Sequence, residues 1–326
     1  MKILAIDGNS IINRAFYGIR LLSNKKGVFT NALTGFFNIY LKLLKEESPD
    51  GVAVAFDLKA PTFRHKKYDG YKAGRKGMPD ELAAQMPYLK EILTAMGIKI
   101  IEVEGFEADD ILGTIAEISE ENSADCTILT GDRDSFQLVS DKVKVHLAST
   151  KADLIYTPAA IQEQYGVSPK QMIEVKALMG DASDNIPGVA GIGEKTALSL
   201  IQKYGSVDKI YEDIQGLDVS AGVKTKLENG KASAYLSREL AVICRDVPIE
   251  KELSAYRPSK PDVEKLSAIL TELEMFALLK KLDIKAGAVD KTHEKAVEPP
   301  MLSGGFDVIF DGGKLLRCDG KTAELV

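Results

Sequence analysis

The sequence predicts an α/β fold: a largely parallel twisted sheet with helices on both faces, followed by a helical subdomain. Two observations carry this. Short β-branched apolar runs alternate with amphipathic stretches through the first half, and beyond about Thr157 the apolar spacing becomes helical alone. Composition agrees, since 45% hydrophobic and 28% charged residues are ordinary for a soluble globular chain of 326 residues. No apolar run reaches the roughly 18 residues a membrane span needs.

Taken in order, the first strand is expected at Lys2–Asp7, where a four-residue apolar stretch is too short for a signal-peptide core. Further strands are expected at Gly51–Asp57, Ile98–Glu104, Cys126–Asp132 and Lys142–Leu147. Helices are expected at Ile11–Leu22, Asn31–Lys45, Asp80–Met96 (stopped by Gly97) and Ala108–Glu121. Past Thr157, the first-turn prolines Pro158 and Pro169 and recurrent apolar spacing predict helices over Ala159–Tyr165, Lys170–Met179, Thr196–Tyr204 and Val263–Leu282. The Lys-, Ala-, Glu- and Pro-rich residues 286–300 read as a linker. Residues 301–326 can form a hairpin around Asp311-Gly312-Gly313 but not a domain, and read as the truncated start of a following one.

Four of the five expected strands end in, or lead into, carboxylates: Asp7, Asp57, the Glu107/Asp109/Asp110 set and the Asp132/Asp134 pair. In a parallel sheet the carboxyl ends of the strands share one edge, where the ligand crevice forms. Acids distant in sequence therefore converge. Any one of them alone reads equally well as a helix cap or turn residue; four together point to a metal site. Clustered carboxylates must take up protons or bind cations. Oxygen ligands without His or Cys suit hard ions such as Mg²⁺ or Mn²⁺. The three histidines and three cysteines are too scattered for a zinc site or a disulfide framework, which suits a reducing compartment. Two hard ions activate water for phosphodiester hydrolysis.

A second acidic motif, Gly180-Asp181-Ala182-Ser183-Asp184, runs into the glycine-rich Gly188–Lys195 segment. Its backbone N–H groups open onto a helix start and can cradle phosphate, with Lys195 adding charge. A nucleotide P-loop is the competitor, but Glu194 stands where its lysine belongs. The net charge of −6 looks wrong for a nucleic-acid binder, yet removing the nine motif acids leaves −6 + 9 = +3. Residues 59–76 also hold Lys59, Arg64, Lys66, Lys67, Lys72, Arg75 and Lys76 against Asp69 alone.

Together Ile6-Asp7-Gly8-Asn9, Ala55-Phe56-Asp57, Tyr71-Lys72-Ala73-Gly74-Arg75, Glu107-Ala108-Asp109-Asp110, Thr130-Gly131-Asp132-Arg133-Asp134 and Met179–Ala197 closely resemble the 5′ nuclease (flap endonuclease) family, in particular the 5′→3′ exonuclease region of bacterial DNA polymerases I. The resemblance covers roughly residues 1–285. It implies a PIN-like nuclease core at 1–157 with a basic helical arch at 59–85, and a DNA-binding subdomain with a helix–three-turn–helix at 158–285. It further implies that Asp7, Asp57, Glu107, Asp109 and Asp110 surround one metal, and that Asp132, Asp134, Asp181 and Asp184 hold or support a second. Lys72 and Arg75 would contact the scissile phosphate from the arch, and Tyr71 would stack on a frayed base. Arg14 would lie near the active site. Gly191, Gly193 and Lys195 would grip the duplex backbone, sometimes with K⁺. Arg64, Lys66 and Lys67 read equally as DNA contacts or plain surface charges.

The expected activity is metal-dependent hydrolysis near 5′ ends and flaps of branched DNA, including RNA primers in RNA–DNA hybrids, as in replication and repair. The protein would act as a monomer in the bacterial cytoplasm at the nucleoid, with a polymerase domain in the same natural chain. Two other readings compete. A non-catalytic branch-binding module gains nothing from acids near phosphate, and a PIN-like ribonuclease would lack the Gly191–Lys195 hairpin.

Overall fold

The computed structural model describes residues 1–148 and 154–286 and, beyond them, the backbone of strands at 307–311, 314–318 and 323–325. The chain divides into two units, Met1–Gly287 and Ala288–Val326.

The first unit opens on β1 (Lys2–Asp7), where Ile3 and Ala5 enter one core and Leu4 and Ile6 the other. Both faces of this strand are therefore covered, as a parallel sheet requires. α1 (Gly8–Gly18) follows directly, because Asp7 caps it by accepting the Ser10 N–H at 2.8 Å. It stops short of the expected Leu22, where Ile19 turns extended. α2 (Asn31–Glu47), β2 (Gly51–Ala55) and the short α3 (Phe63–Lys67) come next. The helix expected over Asp80–Met96 is two, α4 (Asp80–Ala83) and α5 (Met86–Ala95). At the junction the Gln85 N–H bonds the Leu82 carbonyl instead of an i−4 partner, and its buried side-chain oxygen accepts from the Ala32 and Leu33 N–H groups at 2.9 and 3.2 Å. The gap thus supplies partners that the first turn of α2 lacks.

β3 (Lys99–Ile101), shorter than expected, precedes α6 (Ala108–Glu121) and β4 (Asp125–Thr130). A 3-10 turn at Arg133–Leu138 then leads to β5 (Val143–Leu147). An unforeseen edge strand, β6 (Leu154–Tyr156), runs antiparallel to β5. The sheet order is β3-β2-β1-β4-β5-β6, and β1 to β5 are parallel. The order reverses between β1 and β4, so the crevice of an open α/β sheet falls where Asp7 and Asp132 leave their strands.

The helical part comprises α7 (Pro158–Tyr165), α8 (Gln171–Met179), α9 (Glu194–Tyr204) and two unforeseen helices, α10 (Val207–Glu212) and α11 (Ala221–Ala241). The helix expected over Val263–Leu282 is α12 (Val263–Glu272) and α13 (Phe276–Lys281), parted where Glu274 takes φ +57°. Leu266, Ile269 and Leu270 of α12 join the core beneath α1, α2 and α5. The chain's helical half therefore returns to the sheet. Among the described residues no helix is long and apolar enough to cross a membrane.

The second unit holds three antiparallel strands, β7 (Asp307–Asp311), β8 (Lys314–Cys318) and β9 (Ala323–Leu325). β7 and β8 pair across the expected hairpin, whose Gly312 and Gly313 lie outside the described residues. So do residues 287–300, which include almost all of the expected linker.

Candidate active site

At the crevice, six of the nine singled-out acids line one cavity of about 250 Å³: Asp7, Asp57, Glu107, Asp109, Asp132 and Asp184. Lys72, Arg75, Asn9, Ser10 and Asn13 complete its wall. Asp7, at the end of β1, accepts from the Ser10 N–H and from the Thr130 hydroxyl at 3.0 Å. Burial pushes its pKa up to about 7 against these hydrogen bonds, helped by the charges of Asp57 and Asp132. Asp57 follows β2 and accepts from the Ala108 N–H at 2.8 Å, while its own N–H donates to the Asn9 side chain at 3.0 Å. Its side chain opens to solvent on one side. The protein crowding the other still raises its pKa, against the Ala108 N–H and Lys72.

Glu107 is the N-cap of α6 and nearly buried. Its carboxylate accepts from Lys72 Nζ at 2.8 Å, the Tyr71 hydroxyl at 3.0 Å and Arg64 Nη1 at 3.2 Å. Asp109, in the first turn of the same helix, is held well above the usual carboxylate range by burial and then by Asp7, Asp132, Asp134 and Asp57. Its Oδ1 is buried with no hydrogen-bond partner. Asp132 begins the 3-10 turn, accepting from the Asp134 N–H at 3.0 Å. Asp184 faces the same space, paired with Arg75 and 3.9 Å from Lys72 Nζ.

Three acids expected in the metal set do not line this cavity. Asp110 is fully buried, and both its oxygens are taken by Arg64 at 2.8 Å in a fork; it also accepts the Glu107 and Cys244 N–H groups. Asp134 and Asp181 are joined by Lys176, which pairs with the first and lies 2.7 Å from the second. Burial raises the Asp134 pKa to about 6 despite Lys176. At Asp181 the Lys176 and Ser183 hydrogen bonds outweigh burial and hold the pKa near 2.

The basic segment is also corrected. Lys72 and Arg75 sit in turns between α3 and α4, not on a helix, with Lys72 at φ +56°. The turn brings the Lys72 N–H to the Asp184 carbonyl at 2.9 Å, tying this segment to the second acidic motif. Tyr71 is 4% exposed, its ring edge-on to His65, so it has no free face for a base. Arg64 is 3% exposed and serves the interior, which excludes it as a DNA contact.

Arg14 lies against Gly131, where an added Cβ would come within 2.9 Å of its Nε, and so stands beside Asp132. Gly191 and Gly193 lie on an exposed turn ahead of α9, and Lys195 in that helix's first turn is exposed. Gly188 needs to be glycine: at φ +60°, a Cβ would lie 2.3 Å from the Gly180 nitrogen. The Lys226 ammonium donates to the Gly191 carbonyl at 3.1 Å. Sequence reasoning missed the roles of Arg64, Lys176, Asn9 and Thr130. Asn9 and Thr130 stood inside the motifs that carry the resemblance, and Lys176 is a lone cation on the helix that delivers Asp181; Arg64 was hidden in its basic run.

The residues fit a bound cation. The cavity gathers carboxylate and amide oxygens with no His or Cys, contains an unpartnered buried carboxylate oxygen, and raises carboxylate pKa values first by burial and then by the repulsion of neighbouring carboxylates. Among the described residues, no three acidic, His or Cys side chains are placed to hold an ion as they stand. Arg64, Lys72, Arg75 and Lys176 draw carboxylates toward themselves, so closing around an ion requires some to turn.

Models of the 5′-3′ exonuclease N-terminal resolvase-like domain and of the 5′-3′ exonuclease C-terminal SAM fold match residues 2–166 and 167–264. DNA polymerase I of Caldicellulosiruptor bescii is 44% identical over 288 residues, 87% of this chain and 34% of that protein. DNA polymerase I of Bacillus subtilis is 44% identical over 285 residues, 86% of this chain and 32% of the relative. The chain thus spans about a third of the length of these relatives. Among solved structures, T5 5′-exonuclease with bound divalent zinc ions is 23% identical at a TM-score of 0.62, covering 87% of this chain and 99% of that one. The catalytic core of Rad2 in complex with DNA substrate is 19% identical at 0.58, covering 86% and 91%. Both share the fold.

Proposed function

Because the chain belongs to the 5′-3′ exonuclease family, we propose that it is a structure-specific 5′ nuclease that hydrolyses phosphodiester bonds near 5′ ends and flaps of duplex DNA. The observation that carries this is one polar cavity at the sheet's switch point, walled by six carboxylates and two cations. Asp7, Asp57, Glu107, Asp109, Asp132 and Asp184 would hold two divalent cations, Mg²⁺ or Mn²⁺. Bound there, such ions supply Lewis acidity and a nucleophilic water.

The protein's own groups do the rest. Thr130 and Ser10 fix Asp7, and Asn9 and the Ala108 N–H fix Asp57, so both carboxylates are aimed before substrate arrives. Lys72 and Arg75 now counter Glu107 and Asp184. A phosphate entering the cavity competes for them, and they stabilise the charge that grows on its oxygens. The exposed hairpin at Gly191 and Gly193 offers backbone N–H groups, and Lys195 a cation, to a duplex backbone; the Gly191 carbonyl, which accepts from the exposed Lys226, is a candidate K⁺ ligand. Asp110, Asp134 and Asp181 support the site through Arg64 and Lys176. RNA primers are included among the substrates, a polymerase domain in the same natural chain among the partners, and the bacterial nucleoid is the proposed location of a monomeric enzyme.

The test is cleavage of end-labelled flap, nicked and single-stranded DNA with Mg²⁺, Mn²⁺ or EDTA. Cleavage near the 5′ end of the flap substrate with either metal, and none in EDTA, is expected. Equal cleavage in EDTA, or binding to flaps without any cleavage, overturns the reading; the second result would leave a branch-binding module.

A further inference from the structure

A second cavity, of about 190 Å³, lies between the Arg133–Leu138 turn, α8 and α9, and shares no lining residue with the carboxylate cavity. Asp134 and Lys176 form the wall nearest the proposed metal site. Its sides are apolar and soft, with Met172, Met179 and Leu198 among them. Tyr165 also lines it. That residue is 7% exposed, and its hydroxyl is buried with no hydrogen-bond partner. Two opposite charges, Arg133 and Glu194, complete the lining, both exposed and without an ion pair among the described residues. Both lie near enough to act on the Tyr165 hydroxyl, whose pKa burial raises, Arg133 lowers and Glu194 raises.

We propose that this cavity binds a single purine base, guanine in particular. The size admits one ring system rather than a whole nucleotide, being below the roughly 300–1,000 Å³ of sites for drug-sized ligands. Apolar walls take the faces of a base, as in pockets for unstacked bases. Arg133 matches the acceptors O6 and N7 of guanine, and Glu194 matches its ring and exocyclic N–H donors. The choice of a nucleobase rests on reading the neighbouring cavity as a nuclease site, where nucleotides are released.

The test uses the full chain labelled at its methionine methyl groups, titrated with guanosine, adenosine and cytidine in EDTA. Nucleosides carry no phosphate to be drawn into the first cavity. Saturable shifts at Met172 and Met179, strongest with guanosine, are expected. Arg133→Ala and Glu194→Gln should each weaken guanosine binding about tenfold, with both variants keeping the parental melting temperature. A wild-type chain that cuts flaps but shows no saturable shift at these methyls overturns the proposal and leaves the nuclease reading intact. Equal response to all three nucleosides, or no change in either variant, also overturns it. Guanosine binding that depends on Arg133 and Glu194, in a chain that does not cut, supports the pocket alone.

Discussion

Replacing Arg64 by Met tests the part of the site that charge patterning concealed. The guanidinium forks onto Asp110 with two bonds of 2.8 Å, reaches Glu107 at 3.2 Å, and donates to the Leu240 and Val242 carbonyls at 2.9 and 2.7 Å. It thereby ties α3, the start of α6 and the end of α11 into one buried joint. Burial alone would lower its pKa, but Asp110 and Glu107 more than reverse this, so the group stays charged. Methionine keeps the stem's apolar contacts and leaves a fully buried carboxylate without its partner. Breaking a buried pair costs about 3–5 kcal/mol, and orphaned carbonyls add about 1–3 kcal/mol. A loss of ~4–8 kcal/mol is a large share of the 5–15 kcal/mol typical of a domain, and at roughly 2–4 °C per kcal/mol it lowers the melting temperature by ~8–32 °C. Thermal and urea unfolding with matched slopes measure it. Arg64→Met/Asp110→Asn removes the stranded charge yet keeps an acceptor for the Cys244 N–H, and should recover about half of the loss. A single variant within about 1 kcal/mol of the parent, the level of a surface pair, would refute the joint.

Asp132→Asn and Asp184→Asn should abolish cleavage of a 5′-flap duplex while leaving binding in EDTA intact by gel shift; unchanged turnover refutes the metal assignment. Lys72→Ala should lower turnover by about tenfold or more, the scale of a lost transition-state charge contact, and parental rates would reduce the segment to a surface turn. Protonation sets a third outcome. Asp7 at about 7 and Asp134 at about 6 both lie above the ordinary 3.8, so between those limits the folded state holds more protons than the unfolded one. The extra stability of their protonated forms is full below 3.8 and is lost as pH rises through about 6 and about 7. Melting temperatures in EDTA should therefore fall through that window, with Mg²⁺ raising them most at the alkaline end; a Mg²⁺ effect that does not change with pH contradicts this.

The sheet and the acids at its edge were legible because both follow from local pattern. β-branched runs name the strands, parallel pairing aligns their ends, and Asp7, Asp57 and Asp132 stand at those ends. Where partners come from far away, local pattern fails. The Asp80–Met96 stretch has helical periodicity throughout, yet it tightens to an i→i−3 bond at Gln85, whose side chain caps α2 from a distant point in the chain. α11 carries Gly222 and Gly230 and buries only five residues, so it shows little of the apolar stripe that announces a helix. The same limit divides the nine acids. Asp109 and Asp110 are adjacent on one helix turn and indistinguishable as sequence. One keeps an unpartnered oxygen beside a cavity; the other is sealed under Arg64. What separates them is a cation 46 positions away, itself hidden in a run of basic residues that otherwise reads as surface. An acidic motif therefore states that charge must be neutralised at a point in the fold, and only the packing around it decides whether a side chain or an ion does so.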